Sequence, residues 1–483
     1  MSAGISTCPA VDYGALRIPL AAFEVLGYLA VVAAAALAFL AGWLTLNAAV
    51  VITVLLLATL IVLSWIHLGH GRHPVFLFLC TLMLFQGGRL VAFCLGSISD
   101  PFEVSIMVDV PFGVSRSVAG MVLLCLSLSA ISVYAPCRWN YHWLPPPADA
   151  DVRRYLPYLY LVYFAGLPFL VYKNYLYYSY IRSHGGYIVF FSDYANLAAN
   201  VPLVVRLMAL LPLPVLVLIF VFEHRKKLLY TVVALYFCGS IVLLLTGTRQ
   251  GTFALILTLW YVARIKSAKP ARISRLVVLA LALILVANVI ADIRNEENVE
   301  SQSAIDVVNF IATQGISLAV TEVAVMHRSL FLPYVPSYLL HEFEIDLVPS
   351  DVSTYFRGRQ FGYDVSVYLN PQAFSSGLAT SGAYVAEAYV IAGLFGVIAI
   401  SLLIGGGLHL LYLGSRSARG LVWVAFAFPQ VLLLPRAYLL GWGSSLLRSA
   451  LLLLPIALGW ALYCLMAGAL KAPQAHRSYG SAE

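Results

Sequence analysis

The sequence predicts an all-α, polytopic membrane protein with about twelve transmembrane helices and one large extracytoplasmic loop. Three observations carry this reading. Of the 483 residues, 61% are apolar and 11% charged, with a mean hydropathy of +0.89, whereas roughly a quarter of a soluble domain is charged. Apolar runs long enough to cross ~30 Å of hydrocarbon recur along the chain. Lysine and arginine are shared unevenly between alternate connections.

The runs fall at about 22–42, 47–66, 74–95, 117–136, 155–174, 201–222, 228–246, 251–263, 276–291, 386–412, 420–434 and 446–467. Those at 251–263 and 420–434 are the shortest. The first run starts too late, and a second follows too closely, for a cleaved signal peptide. The chain therefore reads as a single integral membrane domain over 1–483, with outer loops at 175–200 and 292–385.

Orientation follows from the cations. One set of connections holds Arg17, Arg72, Arg138, Arg153, Arg154, Arg225, Lys226, Lys227, Arg264, Lys266, Lys269, Arg272, Arg275, Arg416, Arg419, Lys471 and Arg477. The other holds Arg116, Arg182, Arg249, Arg436 and the four arginines of the long segment, Arg294, Arg328, Arg357 and Arg359, over more residues. The first set is expected in the cytoplasm, together with both termini. This bias accounts for the net charge of +7 and leaves no need for a nucleic-acid partner. Six of the seven cysteines lie in or beside apolar runs and the long loop has none, so neither a disulfide framework nor a thiolate metal site is expected.

Several arginines stand where charge is costly. Arg89, Arg206 and Arg448 lie inside or near the start of apolar runs, where insertion costs at least ~2.5–3.5 kcal/mol at the bilayer centre. They either snorkel, pair with a buried partner, or face a wet cavity. The run at 251–263 gives only ~20 Å of helix, so the TGTRQG turn before it is drawn below the surface. Irregular backbone there must be buried in protein or line a cavity, and Arg249 would be a fixed guanidinium suited to phosphate. An ordinary hairpin is the alternative. The 175–200 loop is rich in tyrosine around Arg182. Its rings read as interfacial anchors or as a sugar-stacking surface.

The long segment interrupts the apolar pattern most. Residues 303–340 read as two amphipathic helices broken near Gly315 and Pro333, lying on or in the outer leaflet. Beyond them, TYFRGRQFGYDVSVYLNPQAFSSGLATSGAYVAEAYV runs through a polar, glycine-rich approach into a helix opening at Ala383 and carrying Glu387 in its first turns.

With LNPQAF, SSGLATSGAYVAEAYV and GLFG entering the next span, and the Arg-Gly turn at 246–251, the chain resembles the Wzy-type O-antigen polymerases. The resemblance implies a GT-C-like glycosyltransferase at the outer face of the bacterial inner membrane. It implies an undecaprenyl-pyrophosphate-linked donor and acceptor, no cofactor and no metal. A chain-length regulator protein is a further implied partner, beside membrane lipids. A pyrophosphate leaving group without a divalent ion needs several cations in its place. Arg249, Arg357 and Arg359 are the first candidates, then Arg182, Arg436 and Arg448. An acceptor hydroxyl benefits from a general base, for which Glu387 comes first, then His327, then His341. Glu387 could equally be a carboxylate answering the helix dipole, and either histidine a solvated surface residue.

Three other classes stay open. A ligase moving finished glycan is a close relative in chemistry. A flippase or transporter predicts an internal repeat and charge along the full membrane depth, neither of which the sequence shows. A scaffold without catalysis gives the Arg249 turn no reason to sit at depth.

Overall fold

The structure, a computed structural model, describes residues 14–102, 114–139, 141, 155–184, 189–245, 249–267, 272–295, 307–341, 355–376 and 379–471. Among the described residues it is helical throughout, with no strand. The first half comprises α1 (Gly14–Leu40), α2 (Leu46–His67), α3 (Val75–Phe85), α4 (Gly88–Cys94), α5 (Arg116–Trp139), α6 (Leu156–Ser183), α7 (Val189–Ser192), α8 (Tyr194–Ala199), α9 (Leu203–Met208), α10 (Pro212–Phe222) and α11 (Lys226–Leu245). The second comprises α12 (Arg249–Lys266), α13 (Ile273–Asn295), α14 (Val307–Gln314), α15 (Ser317–Met326), α16 (Arg328–Phe331), α17 (Val335–His341), α18 (Phe361–Leu369), α19 (Pro371–Ser375), α20 (Tyr384–Gly414), α21 (Ala418–Leu433) and α22 (Gly441–Lys471).

Nine helical stretches among the described residues are long and apolar enough to cross a membrane, or ten if the bent pair α3–α4 is one span. The chain is thus a multi-pass membrane protein; the nine or ten stretches are those of the described residues, against an expected twelve over the whole chain. The runs at 228–246, 251–263 and 276–291 form α11, α12 and α13, which fall outside the nine. In α12, Arg249, Arg264 and Lys266 sit within eighteen residues, and the apolar part of α13 among the described residues is Ile273–Val289.

The sequence places Val307–Met326 on or in the outer leaflet. It forms twenty residues apolar enough to cross, and 56% of them are buried inside the molecule. It packs against α4, α5 and α20. Ser317, Thr321 and Glu322 are buried in protein, whereas Asn309 and Thr313 stay exposed. The helix breaks where expected, at Gly315, which crosses Gly88 so closely that a Cβ on either would strike the other strand's backbone.

The core lies where α1, α2, α3, α5 and α20 meet around Leu57, Phe78, Val122, Leu126, Tyr134 and Val385. Arg116, at the start of α5, donates to Phe39 O and Leu44 O. It thereby ties the end of α1 and the α1–α2 connection to the start of α5.

The helix α20 is not one rod. Ala392 and Gly393 are non-helical, with Gly393 at φ 60° and ψ −144°, a conformation open mainly to glycine. In a straight helix Tyr384 and Ser401 would stand about 25 Å apart. Instead the Tyr384 hydroxyl bonds Ser129 of α5, and Ser401 Oγ donates to that same Ser129 Oγ at 3.2 Å. Gly396 comes against the carbonyl of Ala388. Tyr384–Ile391 is therefore a half-helix folded back along the 394–401 turns. The remainder, 394–414, spans about 31 Å, enough for the hydrocarbon by itself.

With α3–α4 bent by 65°, and α14–α15 broken at Gly315, three discontinuous helices meet at one end of the bundle. Irregular backbone inside a bilayer survives only when protein or a lined cavity satisfies it.

Candidate active site

The break after α3 places two residues, Phe85 and Gln86, against the turn that ends α21. Gln86 Nε2 donates to Pro435 O at 2.8 Å, and Gln86 Oε1 accepts from Thr321 Oγ1 at 3.1 Å. The next residue, Arg436, donates from Nε to Ser381 Oγ at 3.1 Å and from Nη1 to Gln314 Oε1 at 2.8 Å. Its guanidinium lies 5.6 Å from the Phe85 ring centre. One arginine thus joins the ends of α3, α14 and α21 with the extended approach to α20. Its side chain is half-buried, which strengthens its pull on an anion relative to water.

Glu387 lies one turn into the folded-back half-helix and is 5% exposed. Its Oε2 accepts from Leu439 N at 2.9 Å, three residues beyond Arg436. Glu387 also lines a small pocket walled by Val335, Leu339, Phe361, Val390 and the ring of Tyr338.

Tyr338 leads to a third group. Its hydroxyl donates to Asp364 Oδ2 at 2.6 Å, Tyr355 donates to Oδ1 at 2.9 Å, and Gly358 N donates to Oδ2 at 3.0 Å. Burial first, and then the Asp364 carboxylate, push both phenols above their usual range, so each stays a donor. Asp364, 5% exposed, thereby pins the Arg357-Gly358-Arg359 turn. Arg357 stacks over Tyr334 at 5.0 Å and Arg359 over Phe356 at 5.8 Å. Gly358 has φ +86°, and a Cβ there would meet Tyr334 Cδ1 at 2.8 Å.

The family model for O-antigen polysaccharide polymerase Wzy matches residues 26–466. The chain belongs to the Wzy O-antigen polymerase family. Neither a curated protein nor a solved structure matches it. As a Wzy-family member it is a glycosyltransferase-type polymerase that joins lipid-linked oligosaccharide repeat units within a membrane.

The residues expected to serve the Wzy chemistry are only partly brought together. Arg436 and Glu387 come within three residues of one another through Leu439, and Arg357 and Arg359 share one turn linked to Glu387 through Tyr338. Arg182 closes α6, is exposed, and donates to Tyr178 on its own helix at 3.0 Å. Arg448 is exposed on α22. Arg249 opens α12, while its side chain and the turn 246–248 lie outside the described residues. His327 shares a hydrogen bond with Tyr368 Oη at 2.8 Å, and His341 donates to Ser337 O at 2.8 Å. Among the membrane arginines, Arg89 is 7% exposed and donates to Pro101 O at 2.8 Å, the buried-partner outcome.

Sequence reasoning passed over Asp364, Gln86 and Gln314. Asp364 carries a faint signal, a carboxylate opening a helix just after Arg-Gly-Arg. Gln86 carries a better one, an amide followed by two glycines inside an apolar run.

Gly358→Ala tests the turn. Left-handed backbone costs a non-glycine residue roughly 1–2 kcal/mol, and the added methyl displaces Tyr334 from beneath Arg357. The expected outcome is shorter glycan chains on a gel at unchanged protein level on an immunoblot.

Proposed function

We propose that this polymerase transfers the growing glycan from undecaprenyl pyrophosphate to the non-reducing end of a new lipid-linked repeat unit at the outer face of the bacterial inner membrane. Both termini then face the cytoplasm, as the cation distribution favours. The observation that supports this best is the gathering of Arg436 by two helix breaks and the approach to α20, beside a buried carboxylate, Glu387.

In this reading Glu387 accepts the proton of the acceptor hydroxyl as its oxygen bonds the donor's anomeric carbon. The bond from that carbon to pyrophosphate breaks, and the charge released falls to arginines rather than to a divalent ion. Arg436 is assigned to it first, three residues from the Leu439 amide that holds Glu387, Arg357 and Arg359 approach from the outer segment, and Arg249 is assigned to the same anion. Arg182 and Arg448 are assigned to the glycan further out. The amide of Leu439 holds Glu387 Oε2, which fixes the carboxylate at the pocket wall. Positioned donors of this kind are worth about 10²–10³ in rate, and a general base about 10²–10⁴. His327, tied to Tyr368, is kept as the second base. A chain-length regulator completes the proposed partners.

The test supplies purified protein in EDTA with undecaprenyl-pyrophosphate-linked repeat units and follows polymer and released lipid pyrophosphate. Polymer is expected in EDTA, and Glu387→Gln is expected to slow it by about 10²–10³. Polymer only after a divalent ion is restored overturns the metal-independent part. A wild-type rate in Glu387→Gln overturns the assigned base.

A further inference from the structure

The half-helix that carries Glu387 ends in mid-structure. Its last carbonyls have no helical partner, because Ala392 and Gly393 leave the helix, and such groups are costly where water is scarce. Two of them are answered from another element. Arg328 Nε donates to Val390 O at 3.0 Å, and its Nη2 to Ile391 O at 3.3 Å. A planar guanidinium suits two neighbouring acceptors, and its positive charge suits a helix C-terminus.

We propose that Arg328 is a positioning residue for Glu387, acting through the half-helix it clamps; this rests on the reading of Glu387 as the base. The half-helix is held at three heights. Tyr384 is bound to Ser129 at its start, Glu387 to Leu439 N in its middle, and Val390 and Ile391 to Arg328 at its end. The first two anchors belong to α5 and to the turn before α22. Arg328 belongs to the segment that also supplies Val335, Tyr338 and Leu339, three walls of the Glu387 pocket. It therefore fixes the spacing between the base and the surface that carries Arg357 and Arg359. With the clamp lost, the half-helix keeps two anchors but can swing about them, and Glu387 shifts relative to the bound glycan.

The experiment compares purified wild type, Arg328→Ala, Arg328→Lys, Glu387→Gln and the Arg328→Ala/Glu387→Gln double variant. Initial polymerisation rates on lipid-linked repeat units are paired with amide hydrogen exchange over 384–391. Arg328→Ala is expected to lower kcat by about a hundredfold, the scale of a misplacement of about 1 Å, with KM unchanged. Arg328→Lys restores part of the rate, and exchange at 388–391 quickens in Arg328→Ala. The double variant is expected to be no slower than Glu387→Gln alone, since both changes act through one carboxylate. A double variant slower by the whole Arg328 factor overturns the proposal, as does unchanged exchange. A wild-type rate in Glu387→Gln removes the base, hence the catalytic half of the proposal, while the exchange data still decide whether the clamp exists. If Arg328→Ala does not accumulate, Arg328→Lys carries the same comparisons.

Discussion

Replacing Arg436 by alanine is expected to abolish long-chain glycan while single-repeat glycan persists and the protein accumulates normally. The expectation follows from where the guanidinium is held. Gln314 and Ser381 fix its direction through two hydrogen bonds, so no reorientation is needed as charge develops on a leaving group. Loss of one such preorganised donor costs about 10²–10³ in rate. The structural cost is smaller, since Gln314 and Ser381 lose a donor at about 1–3 kcal/mol. Arg436→Lys keeps the charge as a point and loses the fork, so a partial ladder of short chains is expected. Gel separation of the glycan and an immunoblot for the protein read both effects. A normal ladder in Arg436→Ala would remove the arginine from the site.

Asp364→Ala is expected to have the next largest effect, and on two observables. Its carboxylate accepts from two phenols and one backbone amide, and hydrogen bonds to a charged group are worth about 1.5–3 kcal/mol each. Removing it leaves Tyr338 and Gly358 as buried donors, and Tyr355 as a half-buried one, without that acceptor. A destabilisation of about 3–5 kcal/mol is expected, because the three bonds share one anchor and do not add. Thermal unfolding in detergent should register it. Polymer length should fall as well, since the turn bearing Arg357 and Arg359 is no longer pinned. Asp364→Asn keeps the shape with weaker acceptors and should lie between. An unchanged melting temperature in Asp364→Ala would show that other contacts hold the turn.

How much of this could be read beforehand depends on the range of the interaction. Apolar length is local, so the membrane class and most spans were legible. The family likeness rested on contiguous motifs and was equally accessible. Which way a polar face points is not local. In Val307–Met326, Gln314 and Thr321 turn toward Arg436 and Gln86, and periodicity cannot distinguish a wetted face from one turned to a partner. The partners of Arg436 come from positions 122 and 55 residues away in the chain. Asp364 resembles any solvated helix start until Tyr338 and Tyr355 are folded onto it. Arg328 was counted among the loop cations, but its bonds to Val390 and Ile391 exist only because α20 doubles back, and nothing in AGLFG announces that reversal.

The doubling back of α20 also constrains assembly. Tyr384–Ile391 is too short to enter a bilayer as a segment in its own right, and its first turn is complete only when Ser129 is already in place to receive Tyr384. Translation delivers α5 long before residue 384, so the docking partner is waiting when the half-helix emerges. Glu387 is thus seated late in biogenesis, after the α5 framework that receives its half-helix is in place, so the proposed base is set only once most of the polypeptide has been made.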